Sequence, residues 1–336
     1  MLLPCLNLNC EFRLYFLAAA LVVSSCNLRV GGKWEVVHNE NLAHAAAVGP
    51  ILFDDKQVGW ALTWAELFRV RDQGRSWIPV LKTDGERRAF YSFTFTTPTT
   101  GTVVGAQKKA EGYTVLILQT SDGGESWHEK ATDVAPVVDR HERPALQSVT
   151  FCGAKSGWAV GNDLILHTTD GGLTWATQRS DLNGESLFTI ACTSSERAWT
   201  VGTGGLLLRT IDGGNSWAHQ VAGTREILIQ VRFFGENGWI IGGTNGTAVL
   251  LRTRDRGETW QPQQLPVTTQ LFDIFFLDNY GWIAGEKGTL LRSDDGGETW
   301  SPQKTPTNED LTSLYFLSPN QGWVGGNRLT LLRFSG

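Results

Sequence analysis

The chain has 336 residues and carries 29 Lys+Arg against 34 Asp+Glu, a net charge of −5, with 19% charged and 41% hydrophobic residues. That balance excludes a disordered chain and a nucleic-acid binder held by a general basic field. The 38 Gly and 14 Trp point to many turns and to either a repeated aromatic packing position or a stacking surface, while one Met and five Cys exclude a disulfide framework and a cysteine-rich metal protein.

The first element is apolar. Leu14 to Val23 is an unbroken run of ten residues, too short for an ordinary membrane-spanning helix and suited to the h-region of a secretory signal. Val23-Ser24-Ser25-Cys26 follows at once and resembles a bacterial lipobox. Residues 1–25 are therefore expected to be a lipoprotein-type signal peptide, Cys26 the lipidated residue, 26–32 a short linker and 33–336 a single domain. A plain cleaved signal or a later start is the alternative. A linker of that length spans at most about 30 Å at ~3.3–3.6 Å per residue. The body would then sit near the bilayer, on the periplasmic side of a bacterial membrane or at the cell surface. It would face the thylakoid lumen if the organism is photosynthetic. Cys5 and Cys10 would be removed with the signal. Cys152 and Cys192 fall at similar positions of neighbouring repeats and are expected to be buried small hydrophobes, not a bridge.

From residue 33 onward the chain is periodic. The motif Asp-x-Gly-x-(Ser/Thr)-Trp begins at Asp72, Asp122, Asp170, Asp212, Asp255 and Asp295, with its tryptophan at Trp77, Trp127, Trp175, Trp217, Trp260 and Trp300. Successive copies are 50, 48, 42, 43 and 40 residues apart. Ser or Thr precedes the Asp by two residues in every copy but the first, which has Val70. A Gly-Trp step recurs at Trp60, Trp158, Trp239, Trp282 and Trp323; Ala198-Trp199 is a variant and Gly101-Thr102 lacks the Trp. That makes seven units.

Each unit reads as four short strands. In the sixth, Leu271–Leu277 is strand A, Gly281–Gly285 strand B and Thr289–Ser293 strand C; Asp295–Thr299 turns the chain and Trp300 opens strand D. Four strands repeated every ~40–50 residues predict the blades of a β-propeller, an all-β fold. The seventh unit offers strands A (Leu311–Leu317), B (Gly322–Gly326) and C (Leu329–Phe334), but the chain ends at Gly336, where its Asp would fall. Gly31 to Val37, with Trp34, looks like the missing strand D. The last blade is thus expected to be closed by the N-terminal strand, which protects the sheet edges. Only Trp64 lies outside this scheme.

Chemistry explains the motif. The Asp carboxylate can accept bonds from backbone N–H groups of its own turn, the Gly provides a positive φ, the Ser/Thr adds a second bond and the Trp buries a large ring between sheets. A Ca²⁺ site would need several converging oxygens, and one Asp per turn does not supply them. This motif is the Asp-box, or bacterial neuraminidase repeat. The alternation of Gly-Trp and Asp-box over 33–336 resembles the photosystem II assembly and stability factor family of seven-bladed propellers. The resemblance implies a non-enzymatic, membrane-anchored scaffold that binds proteins, with no cofactor. It also implies an arginine-rich patch on the central blades, whereas blades 3 to 5 read as regular copies without one. The alternative is a carbohydrate-binding or sialidase-like propeller of the envelope. The Arg-Ile-Pro signature of sialidases is absent, and no Glu is placed beside Tyr91, Tyr113, Tyr280 or Tyr315. The histidines show no metal spacing, and Val201–Gly205 precedes no helix. No catalytic residue, metal or nucleic-acid partner is expected, and the protein is expected to be a monomer.

Three features remain as candidates. Three residues before each Asp stand Arg69, Gln119, His167, Arg209, Arg252 and Arg292, continued by Arg333, placed to stack on a neighbouring Trp. A polar column in strand A, Ser92, Ser148, Thr189, Gln230, Asp273 and Ser313, would line the central channel. It would serve as a hydrogen-bonded ring or as a small-ligand funnel, with Gln230 and Asp273 as the channel candidates. The charged insertions hold Arg87 and Arg88, Lys108 and Lys109, and Arg140 and Arg143. B–C and D–A loops share one face of a propeller, so these six are the candidates for partner binding.

Overall fold

The structure is a computed structural model that describes residues 32–336 except 38–48, 54–57, 73–74, 84–86, 111, 136–144, 180–181, 183, 245 and 329. The predicted signal, the lipidation site Cys26, and Arg140 and Arg143 lie outside the described residues.

Among the described residues seven sheets follow in chain order, six of them antiparallel with the strand order A-B-C-D. Blade 1 holds Ile51–Phe53, Gly59–Leu62, Glu66–Arg71 and Ser76–Lys82; blade 6 holds Leu271–Leu277, Tyr280–Gly285, Leu290–Ser293 and Ser301–Pro302. Blade 7 is closed by the chain start: Lys33–Val36 pairs antiparallel with Leu331–Ser335, placing Trp34 opposite Phe334. Its ring lies 4.8 Å from that of Phe334. Strand D is shorter than the pattern suggested. In blades 2, 4, 5 and 6 it spans two residues and starts after the Trp, not at it.

Blade 3 departs from the scheme. Part of the long D–A link, Ala131–Thr132, pairs parallel with Thr174–Trp175 and adds a fifth strand at that blade's outer edge. The Asp133 carboxylate fixes it by accepting both the N–H and the hydroxyl of Thr177.

Hydrogen bonds at the turns define two faces. B–C turns meet D–A links, as in Lys108 N–H to Arg87 O and Thr203 N–H to Ser186 O. Asp-box turns meet A–B turns on the opposite face, as in Gly213 N–H to Glu196 O and Gly296 N–H to Asn279 O.

The seams between blades follow from the Gly-Trp step. The Trp of one blade stacks on a Phe of the next: Trp60 on Phe95 (4.3 Å between ring centroids), Trp239 on Phe276 (4.1 Å), Trp282 on Phe316 (3.7 Å) and Trp323 on Phe53 (4.0 Å). Trp199 lies against Phe233 in the same way, at 4.5 Å. Each Phe stands in register opposite the Gly of its own blade's B strand, as Phe276 does opposite Gly281. A methyl group at Gly281 would come within 2.6 Å of that ring. The other face of the Trp is covered by the arginine column: Arg69 over Trp60, Arg209 over Trp199, Arg252 over Trp239 and Arg292 over Trp282, at 5.2–5.8 Å. His167 stacks on Trp158 at 4.6 Å in the arginine's place.

One expectation is overturned. Cys152 and Cys192 form a disulfide, with 6.0 Å between their Cα atoms. Register gives the reason. Cys192 pairs with Ala198, so it occupies the Phe column of blade 4, whereas Cys152 lies one residue beyond Phe151 of blade 3, which pairs with Gly157. That offset, between strands that run side by side, brings the two sulfurs together rather than leaving them as equivalent buried apolar groups.

The Asp-box turns are fastened as their residue types require. In the second, Ser126 N–H and hydroxyl donate to the two oxygens of Asp122, and Thr120 Oγ1 accepts from Gly124 N–H. The third, fourth, fifth and sixth repeat these bonds. Among the described residues of the first, which lacks the hydroxyl at Val70, the Ser76 hydroxyl donates to Asp72, and Asp72 stands at φ 53°. The Thr174 hydroxyl and N–H hold the Asp170 carboxyl at about 2, and Ser216 does the same for Asp212. These values lie below the ~3.9 of an unfolded Asp, so the turns contribute stability above about pH 4 that is lost as pH falls toward 2. Thermal midpoints should be flat from about pH 7 to 4 and drop below it. Exchanging Asp170 for Asn should lower the midpoint at neutral pH and shallow the acid drop. A midpoint already falling steeply between pH 7 and 5 would place the acid sensitivity elsewhere.

Candidate functional site

Two regions bring the candidate residues together. The first is the central channel. All seven A strands line a cavity of about 440 Å³. In blades 2 to 7 the strand A register slips by one just before the polar column, as between Leu271 and Asp273. Such a bulge leaves a ladder group unpaired and re-aims the next side chain. The glycine ending strand B makes room for it; at Gly161 a methyl group would lie 1.7 Å from Ala145 O.

The polar column then stitches blades 3 to 7 in turn. Ile190 N–H donates to Ser148 Oγ (3.4 Å), Val231 N–H to Thr189 Oγ1 (2.9 Å), Ile274 N–H to Gln230 Oε1 (3.3 Å) and Leu314 N–H to Asp273 Oδ2 (2.7 Å). Gln230 and Asp273 thus both act in the ring. Asp273 is 5% exposed, and burial pushes its carboxyl up, with Arg232 opposing at 3.4 Å from Oδ1. Arg232 and Asp273 are the charged residues among those lining the cavity, and Cys192 forms part of the same wall.

The second region is the B–C and D–A face over blade 2. Its B–C hairpin is the longest described, Gly101–Lys109 with Gly112–Thr120. Lys108 N–H bonds Arg87 O, and Arg88 pairs in register with Gln107, so Arg87, Arg88, Lys108 and Lys109 meet near the tip of this hairpin. Their charge is partly spent. Arg88 and Lys109 share Glu129 at 3.5 and 2.9 Å, and Lys108 lies over the Tyr113 ring. Arg87 is exposed. Trp64, the tryptophan outside the repeats, is 43% exposed on the adjoining turn, where its carbonyl accepts Phe90 N–H. The sequence left this Trp unassigned; its place in a B–C turn was the available signal.

Five arginines of blades 4 and 5 lie toward the opposite face, and each of these five is met by a glutamate. Arg197 and Arg209 bind Glu258, Arg252 and Arg254 bind Glu298, and Arg256 binds Glu236. Glu258 and Glu298 belong to Asp-box turns of the following blade, so these pairs also fasten seams. Among the described residues, no group of three or more His, Cys, Asp or Glu converges as a metal site would require.

Comparison with known proteins places the chain. A family model described as "Photosynthesis system II assembly factor YCF48" matches residues 80–186, 177–272 and 268–335. No curated protein matches the chain. Among solved structures, one of YCF48 bound to D1 peptide is 24% identical and covers 90% of this chain and 97% of its own, at a TM-score of 0.67. YCF48 from Cyanidioschyzon merolae is 20% identical, with 90% and 98% covered and a TM-score of 0.64. The virginiamycin B lyase of Staphylococcus aureus superposes as well, at a TM-score of 0.70 over 91% and 99% of the chains, but at 11% identity. At these identities the likeness shows a shared fold.

Proposed function

Because the chain belongs to the photosynthesis system II assembly factor YCF48 family, we propose that it is a non-enzymatic assembly factor that captures a polypeptide partner and is held to a membrane through Cys26. Family membership carries the reading. It is supported by the related propeller solved with D1 peptide. The lyases of the same fold make an enzyme the alternative, since fold does not decide chemistry.

The Cys152–Cys192 bond supports an extracytoplasmic location, because disulfides persist in oxidising compartments. That agrees with the signal and lipidation site expected at the chain start.

The surface proposed for the partner is the face over blade 2 with Arg87, Arg88, Lys108 and Lys109; Arg140 and Arg143 of the following link are candidates from the sequence alone. Exposed Trp and Arg are frequent energetic anchors of interfaces, and Trp64 adjoins these cations. Exchanging Arg87, Lys108, Arg140 and Arg143 for Glu should reduce partner capture from native membranes tenfold or more, with an unchanged thermal midpoint. An unaltered set of captured proteins would rule out this face. Turnover of an aryl sialoside, or binding on a glycan array, would favour the carbohydrate-active alternative.

A further inference from the structure

Five seams share one device, the Trp of one blade stacked on a Phe of the next. Two do not: between blades 2 and 3 the Trp is absent, Thr102 standing in its place, and between blades 3 and 4 the Trp is kept but the Phe is not. Trp158 is in place and fully buried, yet the Phe position opposite it holds Cys192, bonded to Cys152 across the seam. A second substitution accompanies the first. Wherever the Phe is present its register partner is Gly, because a methyl group there would lie 2.3–2.7 Å from the ring. At blade 4 alone the partner is Ala198, which fills the room a Phe would need. The covalent bond therefore stands in place of the aromatic wedge. It is also within reach of solvent: Cys192 lines the central channel, and both cysteines are half-buried.

We propose that Cys152–Cys192 is a thiol–disulfide exchange site, open to a dithiol from the channel mouth, whose reduction loosens the seam between blades 3 and 4 and leaves the wedged seams closed. The chemistry balances with the dithiol alone. Its thiolate attacks the sulfur of Cys192, a mixed disulfide forms, and Cys152 leaves as a thiolate and takes a proton. The second thiol of the reagent then attacks the mixed disulfide, closing a cyclic disulfide and releasing Cys192, so two electrons and two protons have passed to the protein. The rest of this seam is an apolar cluster that includes Trp158, Ile165, Leu187, Ile190 and Leu208, with polar ties such as Ile190 N–H to Ser148, and Gln178 Nε2 to Gly213 O at 2.9 Å. It lacks the stacked Trp–Phe pair, which stabilises beyond its buried area. The redox poise of the compartment would thereby set the rigidity of one seam.

The test uses the full chain, dithiothreitol as the probe, alkylation mapped to Cys152 and Cys192, and amide hydrogen exchange. Reduction should proceed without denaturant. Exchange of Leu146–Cys152 and Leu187–Cys192 should rise tenfold or more, while that of Leu228–Phe234 and Leu271–Leu277 stays within twofold. Free thiols in the protein as isolated from its oxidising compartment, reduction only in denaturant, or a uniform rise in exchange would each overturn the proposal. A second variant rebuilds the wedge: Cys152→Ala, Cys192→Phe and Ala198→Gly together should give a thermal midpoint insensitive to dithiol and above that of reduced wild type. A midpoint equal to that of Cys152→Ser/Cys192→Ser would show that the bond does not replace the wedge. Failure of the rebuilt variant to fold leaves the wild-type exchange pattern to decide.

Discussion

Alanine in place of Trp282 should cost the ring about 3–5 kcal/mol, the range for emptying a buried aromatic site. Trp282 is 1% exposed. Its indole lies 3.7 Å from the Phe316 ring with 10° between the planes, and Arg292 covers its other face. Truncation therefore removes buried apolar area and leaves a void between two sheets that have little freedom to collapse onto it. With an unfolding entropy of ~2.1 cal/mol/K per residue over ~300 residues, the thermal midpoint should fall by roughly 5–8 °C. Trp127 provides the contrast. It is only half-buried, and its alanine variant should lose less than half as much. Urea unfolding of both variants checks the ranking, and a cycle with Phe316→Ala should give a coupling of about 1 kcal/mol. Equal costs for the two tryptophans would mean that the Gly-Trp step does not hold the seams.

The seams explain why so much of the architecture was legible in the sequence. Each blade carries its own strand signals, and Gly281, Trp282 and Phe276 each have a steric reason to recur that does not depend on the rest of the ring. Closure was legible for the same reason: Trp34 supplies what the seventh unit lacks. The losses were at places where two distant segments decide the outcome together. Ala131–Thr132 is a strand only because the outer edge of blade 3 is available to pair with it. The bond between Cys152 and Cys192 depends on a one-residue offset between strands of different blades, hidden by treating the two as equivalent. A signal for it was present, since Ala198 breaks the Gly-Trp rule at the one blade where Cys replaces Phe.

The candidate site was legible in a similar measure. Loop lengths gathered Arg87, Arg88, Lys108 and Lys109, because B–C and D–A loops must share a face. The partial neutralisation was not legible. Glu129 lies in the next strand D and reaches Arg88 and Lys109 only once the hairpin is folded back. In the channel, the polar column was readable as a column, but the bonds it makes were not. They depend on the bulges, which free a backbone group at each seam.

Deleting Lys33 to Val36 should have the largest effect of any short change. The strand makes four register pairs with Leu332 to Ser335 and sets Trp34 on Phe334 and Phe316, and Arg333 donates to Glu35 at 2.9 Å. Its removal would expose the outer edge of Leu331–Ser335 as an unpaired strand, a template for edge-to-edge association. It would also detach the chain start from the chain end. In an open array each blade leans on its neighbours alone, whereas a closed ring makes the loss of any one blade a loss to two seams. The truncated protein is therefore expected to unfold over a broader range, with its midpoint lower by more than the 5–8 °C of Trp282→Ala, and to elute as oligomers on size exclusion. Supplying the segment in trans as a peptide of residues 31–38 at high concentration should restore part of the midpoint, since a ligand bound only to the folded state stabilises it by mass action. A truncated protein that stays monomeric and melts as sharply as the full chain would show that the ring is held by its seams without the strand that joins its ends.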